Sequence, residues 1–446
     1  MQAFSTDITT AFGTGFVEET GHGSWQSCFA VSDLAVQSMG AVGSALAALI
    51  EACGAGSAPA VTIDRRLASL WFSQSIHPQG WRLPPLWDAV AGDYEGKDGW
   101  IRLHTNARHH LTAALSVLGC SADRDRVVAI VREWEIELLE REIVAAGGAA
   151  AAMRSRSEWL KHPQGAAVAS EPLVHWEKRS GSMRDWAPVV GQPLSGLRVL
   201  DLTRVIAGPV ATRTLAGFGA DVLRVDPKDW SEPGVVPDVN LGKRCCRLNL
   251  KTSEGLEIFE SLLEKADVLV HGYRPGALDR LISRSRRASL SPGMIEVCHD
   301  AYGWNGPMAG RRGFDSLVQM SSGIAEAGRR WSGSERPHPL PVQALDHATG
   351  YFVATAVLVG LARAVRGEGI FSARLSLART AETLAAMPAI EDDQITGSDK
   401  DDLDDWQEKT PWGPALRLRP AIRIDGNPMK WDRPAADLGS APPAWT

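Results

Sequence analysis

Hydrophobic and polar positions alternate most regularly between residues 194 and 300. Val199, Leu200 and Leu202 form a short apolar run that predicts a strand. Ala207-Gly208-Pro209 breaks it, and Val210 to Phe218 has helical spacing. Gly219-Ala220 ends that helix, and Asp221–Val225 starts a second strand. Residues 194–227 thus predict one strand–helix–strand unit, with a loop and a helix N-terminus at the carboxyl end of the first strand. Small phosphorylated ligands favour such a place, because unpaired helix N–H groups and the helix dipole attract anions.

The alternation continues. Leu248 and Leu250 predict a strand, Ser253-Glu254 opens a helix, and Asp267–Val270 is a strand. A helix starting at Pro275, a strand at Met294–Cys298, and helices at Phe314–Ser321 and Ala344–Ala364 follow. This predicts an α/β fold: a Rossmann-like parallel sheet with helices on both faces, plus a smaller α+β domain upstream.

Upstream, residues 1–30 show little periodicity and predict an N-terminal arm that wraps over the surface or is partly loose. Residues 31–84 predict a buried helix (31–53), a strand (60–64) and a helix (65–72) that pack on the large domain. Residues 85–175 predict the small domain: a strand at Trp100–His104 and helices at 107–118, 123–133, 135–146 and 156–162. Residues 176–193 read as a linker, 194–390 as the large domain, 391–409 as a flexible acidic link, and 410–446 as an extended C-terminal arm. One internal repeat stands out. With an offset of 313, Asp33 matches Asp346 and Gly54 matches Gly367, each pair bounding a small-residue helix.

Composition narrows the function. At 446 residues with net charge −6 and no long basic run, nucleic acid is not an expected partner. The sequence predicts no membrane span and no secretory signal at its N-terminus. Six cysteines without metal-type spacing predict free thiols, no metal and a cytoplasmic protein. Asp346, placed before a helix and followed by Ala348, Thr349 and Gly350, is open to two readings: helix cap or nucleophile. Cys298-His299-Asp300 does not predict a triad, because triad groups meet through space rather than along a strand. Lys243 and Arg244 read as phosphate contacts or as a solvated basic turn.

Five ordered stretches carry a resemblance: LSGLRVLDLTRVIAGPVATRTLAGFGADVLRVDP, LGKRCCRLNLKTSEG, ADVLVHGYRPGALDRL, AYGWNGPMAGRRGFDSLVQMSSG and ALDHATGY. Together they resemble the class III CoA-transferases, the group of formyl-CoA transferase, carnitine CoA-transferase and α-methylacyl-CoA racemase. The order is permuted. Residues 60–175 resemble what that family places after its catalytic aspartate.

The resemblance implies coenzyme A as substrate thioester, acyl-CoA and carboxylic-acid partners, and a homodimer. It makes Asp346 the nucleophile. It places Val205 and Ile206 at the pantetheine arm, Leu248 beside the adenine, and Arg280 near the phosphates. Gly272 and Tyr273 stand where formyl-CoA transferase has Asn-Phe. Pro227 replaces a phosphate-binding arginine, so Arg224 or Lys228 is expected to supply that charge. Tyr302, Gly303 and Gly306 match a loop near the thioester, while a glycine loop over the acyl site has only Ala146-Gly147-Gly148-Ala149 as a candidate. His347 is expected to be structural. Phe314 fills the place of the racemase histidine, which favours CoA transfer; an acyl-CoA racemase or isomerase and a non-catalytic CoA-binding subunit remain the alternatives.

Overall fold

A computed structural model describes residues 4–13, 15–54, 56–389 and 392–446. Its centre is a seven-stranded sheet. Across the sheet the strands run Arg244–Arg247, Asp221–Asp226, Arg198–Leu202, Val268–His271, Ile295–Asp300, Ile370–Ser376 and His175–Arg179. The first six are parallel and the last is antiparallel. The six parallel strands, numbered in chain order, stand 3-2-1-4-5-6, the order of doubly wound dinucleotide-type sheets.

These strands read as continuous apolar runs because both faces are covered. Val199, Val222, Val270 and Val297 point to one face, under helices Ala207–Gly217 and Ala344–Val365. Leu200, Leu223, Leu269 and Cys246 point to the other, under helix Ser253–Leu263. Helix Val31–Ala52 lies against Ala344–Val365, and both are almost wholly buried. Both are also long and apolar enough to cross a membrane, which the sequence reading overlooked; here they form the core.

The small domain has its own core. Strands Gly92–Glu95, Trp100–Leu103 and Ala150–Ala152 form an antiparallel sheet packed by helices Arg108–Leu118, Arg124–Val131 and Ile136–Ala145.

Several expectations are corrected. The N-terminal arm is not loose: it carries helix Thr6–Phe12 and strand Glu18–Thr20, which pairs in parallel with Val61–Asp64. The linker 176–193 begins as strand, since His175–Arg179 closes the edge of the large sheet. The acidic link is docked rather than flexible. Asp392 binds Arg65 at 3.1 Å, and Asp399 and Asp402 bind Arg66 at 3.1 and 2.8 Å. Residues 390 and 391 lie outside the described residues. The helix expected from Val210 starts earlier: Ala207-Gly208-Pro209, past the strand's end at Leu202, forms its first turn, where proline has no needed N–H to lose. The strand expected at Leu248 and Leu250 is Arg244–Arg247 instead. Pro275 starts turns, and the helix there is Arg284–Leu290. The arm 410–446, expected to be extended and ordered, needs no such correction: Gly413–Arg417 and Ile422–Ile424 pair with upstream strands.

Candidate active site

The sheet reverses its winding between Arg198–Leu202 and Val268–His271, so a crevice opens beyond their carboxyl ends. The loops leaving these strands carry Val205 and Gly272-Tyr273. Val205 has φ 67°, the left-handed region, and it is the only non-glycine residue among those described with positive φ. A β-branched side chain is costly there, so the surroundings must hold it. The Val205 N–H donates to Glu232 Oε2 at 2.9 Å. Glu232 is in turn bound by Arg224, which also meets Asp226 and Asn240 at 2.8 Å each.

This corrects the expectation for Arg224. Its guanidinium is fully buried and taken up by carboxylates, so it is a clamp behind the loop rather than a free phosphate contact. Lys228 is exposed and borders none of the cavities around the crevice. One cation that does face the crevice is Arg204, lying over Trp230 and Tyr273 at 4.7 and 5.6 Å from their ring centroids. With Leu248, Tyr273 and Lys251 it borders a trough of about 1240 Å³. Arg280 is exposed and lies outside that lining. Lys243 is no solvated turn: it is buried against Asp201 at 2.9 Å, and Arg244 pairs with Asp221 at 2.8 Å.

Beside the trough a smaller cavity of about 240 Å³ holds Asp346. Val205, Ala207, Gly272, Tyr273, His299 and Phe314 share it; Ile206 flanks it as the residue capping helix Ala207–Gly217. Gly350 lets the helix carrying Asp346 approach Ala207 closely, because a Cβ there would collide with the Ala207 carbonyl. Two helix N-termini therefore converge on one chamber, which favours negative charge and oxyanions.

Asp346 is 6% exposed and forms no ion pair among the described residues. Its N–H donates to Asp315 Oδ2 at 2.9 Å. Asp315 also accepts from Gln319 Nε2. Burial pushes Asp315 up to about 6. Burial, and then the neighbouring Asp315 charge, hold the Asp346 carboxyl well above the usual carboxylate range. The two carboxyls therefore titrate together rather than independently.

His299 stands opposite Gly272. Its Nε2 lies 3.1 Å from where a Cβ on Gly272 would be, and it has no hydrogen-bond partner. It occupies the space where the resemblance led to an asparagine side chain. Tyr302 and Gly303, expected near the thioester, do not line the cavity; the chain borders it at His299, Asp300 and Ala301 just before them. The Tyr302 hydroxyl lies 3.1 Å from Ser321 Oγ, and the Gly303 N–H donates to Asp300 Oδ1 at 2.9 Å. His347 stacks on Phe72 with ring centroids 5.5 Å apart, away from the cavity. Cys298, His299 and Asp300 share no hydrogen bond with one another among the described residues. Asp33 is bound by Arg65 at 3.1 Å.

Sequence reasoning passed over Arg204, Arg274, Arg312, His109 and His110, all at the crevice. Arg274 directly follows Gly272-Tyr273, and Arg312 stands two residues before Phe314, so those two carried a signal. The histidines come from the small domain and carried none. All six cysteines are free, and no group of three or more His, Cys, Asp or Glu among the described residues is arranged to hold a metal.

Comparison with known proteins shows what this chain is similar to. Residues 194–409 match the model of CoA-transferase family III. Succinyl-CoA:glutarate CoA-transferase of Mus musculus is 34% identical over 197 residues, covering 40% of this chain and 44% of that protein. An acyl-CoA transferase of Gibberella moniliformis is 27% identical over 335 residues, covering 68% and 57%. A CAIB/BAIF family protein from Brucella suis has a solved structure with TM-score 0.39 and 24% identity, covering 50% of this chain and 65% of that one. The chain spans less than half the length of the curated relatives such as the mouse protein. The likeness to CoA-transferase family III rests on residues 194–409, just under half of the chain.

Proposed function

We propose that the protein transfers CoA from an acyl-CoA thioester to a carboxylic acid, with Asp346 as nucleophile. One Asp346 oxygen attacks the thioester carbonyl; the C–S bond breaks, leaving an aspartyl–acyl anhydride and CoA thiolate. The thiolate attacks the aspartyl carbonyl, releasing the first acid and forming an aspartyl–CoA thioester. The acceptor carboxylate displaces the thiolate, giving a second anhydride. The thiolate then attacks the acceptor carbonyl, forming the new thioester and freeing Asp346. The covalent relay divides one hard exchange into easier steps.

The observation that carries this reading is Asp346 itself: a buried carboxyl with no counter-cation among the described residues, at a helix start, in a chamber adjoining a trough at the switch point of the sheet. Arg204, Trp230 and Tyr273 suit an adenine or phosphate in that trough, by stacking and charge. The relatives' names cover different acid pairs, so the acyl group does not follow from them. The dimer and the cytoplasmic location rest on family resemblance and cysteine usage, and belong to this reading.

The test is to incubate the protein with a panel of acyl-CoA thioesters, quench with hydroxylamine or borohydride, and map the product by mass spectrometry. An adduct on Asp346 is expected. Deuterium entering the α-carbon from heavy water with no adduct would make the protein an isomerase, and neither signal would leave a CoA-binding subunit.

A further inference from the structure

The internal repeat reaches beyond its two long helices. Each helix, Val31–Ala52 and Ala344–Val365, is followed by a strand, Val61–Asp64 or Ile370–Ser376, with one parallel and one antiparallel neighbour. The last residue of each strand, Asp64 or Ser376, caps the next helix: its side chain accepts from the N–H three residues on. That register sets the first residue of the next helix, Arg65, against Leu377. On the parallel neighbour, Glu19 pairs with Ile63 and His299 with Leu375, each one residue before the cap. Glu19 and His299 are therefore counterparts, as are Asp33 and Asp346.

In the first half of the repeat these three places make a closed ion cluster. One Arg65 nitrogen, Nη1, meets Glu19 at 3.0 Å and Asp33 at 3.1 Å, so the guanidinium fills the space between two carboxyls. In the second half the same places hold Asp346, Leu377 and His299, and all three border one cavity. Leucine ends short of where an arginine puts its guanidinium, and it carries no charge. Arg379, the arginine that this helix does carry, is tied elsewhere by Asp7 and by the Glu171 carbonyl, each at 2.7 Å. His299 Nε2 has no partner. Burial, then His271, push the His299 ring down to about 4, so it is neutral near pH 7. A neutral imidazole can polarise a carbonyl without forming an ion pair with a carboxylate beside it.

We propose that the acyl carbonyl of the thioester occupies the place that the Arg65 guanidinium fills in the first half of the repeat, with Asp346 on one side, His299 on the other, and Leu377 leaving the place open. As an Asp346 oxygen bonds to the carbonyl carbon, the C=O electron pair moves onto oxygen. A His299 N–H holds that charge by a hydrogen bond and keeps its proton. The charge then departs with the CoA thiolate as the C–S bond breaks. The catalytic half of this proposal rests on the CoA-transfer reading; the carbonyl contact does not.

The experiment is calorimetric titration of the full chain carrying Asp346→Asn, to prevent turnover, with acetyl-CoA, S-ethyl-CoA and free CoA. S-ethyl-CoA has the same carbon count and lacks the carbonyl oxygen. Acetyl-CoA is expected to bind about 3- to 10-fold more tightly than S-ethyl-CoA, the worth of one hydrogen bond. Adding His299→Leu removes that preference, His299→Gln keeps part of it, and free CoA binds all three proteins within about 2-fold. With Asp346 intact, His299→Leu is expected to slow adduct formation about 10²-fold. Leu377→Arg puts back the cation and is expected to abolish the adduct. Thermal melts confirm that each variant is folded, and Leu377→Arg should melt lower when combined with Asp346→Asn than alone, because the introduced cation then has no carboxylate. Equal binding of acetyl-CoA and S-ethyl-CoA, a preference that survives His299→Leu, or undiminished adduct formation by Leu377→Arg overturns the proposal. Carbonyl preference without any Asp346 adduct in the unsubstituted chain keeps the His299 contact and rejects CoA transfer; an adduct without the preference does the reverse.

Discussion

Two helices in this protein begin alike and end in opposite chemistry. Val31–Ala52 and Ala344–Val365 are each 22 residues long, displaced by the same 313 positions at both ends. The residues before them, Ala30 and Gln343, share one backbone conformation, φ −76° with ψ 59° and 63°. Each has a buried aspartate as its third residue. Asp33 is gripped by Arg65 at 3.1 and 3.3 Å, and Arg65 is further tied to Glu19 and Asp392 at 3.0 and 3.1 Å. Asp346 faces another acid, Asp315, and no cation among the described residues pairs with it. The repeated sequence therefore makes the same helix twice. What surrounds its aspartate is set by a residue brought from elsewhere: an arginine neutralises one copy, and a second carboxyl faces the other.

The sharpest way to break this comparison is to exchange carboxyl for amide in each copy. Asp346→Asn is expected to abolish the trapped adduct and lower transfer by at least about 10³-fold, because an amide is not a nucleophile of this kind. Asp33→Asn is expected to leave transfer within a few-fold. Adduct mapping and initial rates check both. A folded Asp33→Asn protein without an Asp346 adduct would show that the first copy also serves the reaction.

The next effect lies in pH. Because burial and Asp315 raise Asp346, the nucleophilic carboxylate is scarce below the pair's pKa values. Single-turnover adduct formation is expected to rise about tenfold per pH unit there and flatten above. Asp315→Asn removes the neighbouring negative charge, so the rise should move to lower pH. A flat profile from pH 5 to 8 would mean that Asp346 is already ionised and that Asp315 does not set its chemistry.

What could be read from sequence follows the same division between local and distant causes. Strand–helix alternation after residue 194 was legible because parallel strands covered on both faces are short apolar runs. The repeat was legible because a small-residue helix bounded by Asp and Gly keeps its spacing. His175–Arg179 was not, since a polar, antiparallel edge strand resembles a linker. The acidic segment was misjudged because composition does not reveal that Arg65 and Arg66 receive Asp392, Asp399 and Asp402. Arg224 looked like a free cation after a strand, but its partner Glu232 stands eight residues on, in a loop whose path the sequence does not give. At the site, Asp346 was legible from its motif. His109 and His110 were not, because only tertiary packing brings the small domain across the crevice.

Stability offers the finer comparison. Asp33→Asn leaves Arg65 buried with two of its three acids, so a loss of about 1–3 kcal/mol is expected in urea unfolding. An unchanged midpoint would mean that Glu19 and Asp392 suffice.

The smallest effect has the opposite sign. In the fold Asp346 holds its proton more tightly than an aspartate in the unfolded chain, whose pKa is about 3.9. As pH rises through that ordinary value, the unfolded chain ionises while the fold does not, so the native state loses relative stability until the raised pKa is passed. Near neutral pH that cost is built in, and an amide does not carry it. Asp346→Asn should therefore raise stability by about 0.5–2 kcal/mol at pH 7, as removal of a strained active-site group does. The gain should shrink toward pH 4, where the unfolded aspartate is itself protonated. Thermal melts of wild type and Asp346→Asn across pH 4–8 measure the difference directly. A gain that stays constant with pH would mean that the asparagine acts through packing, and that the fold does not hold this carboxyl against ionisation at all.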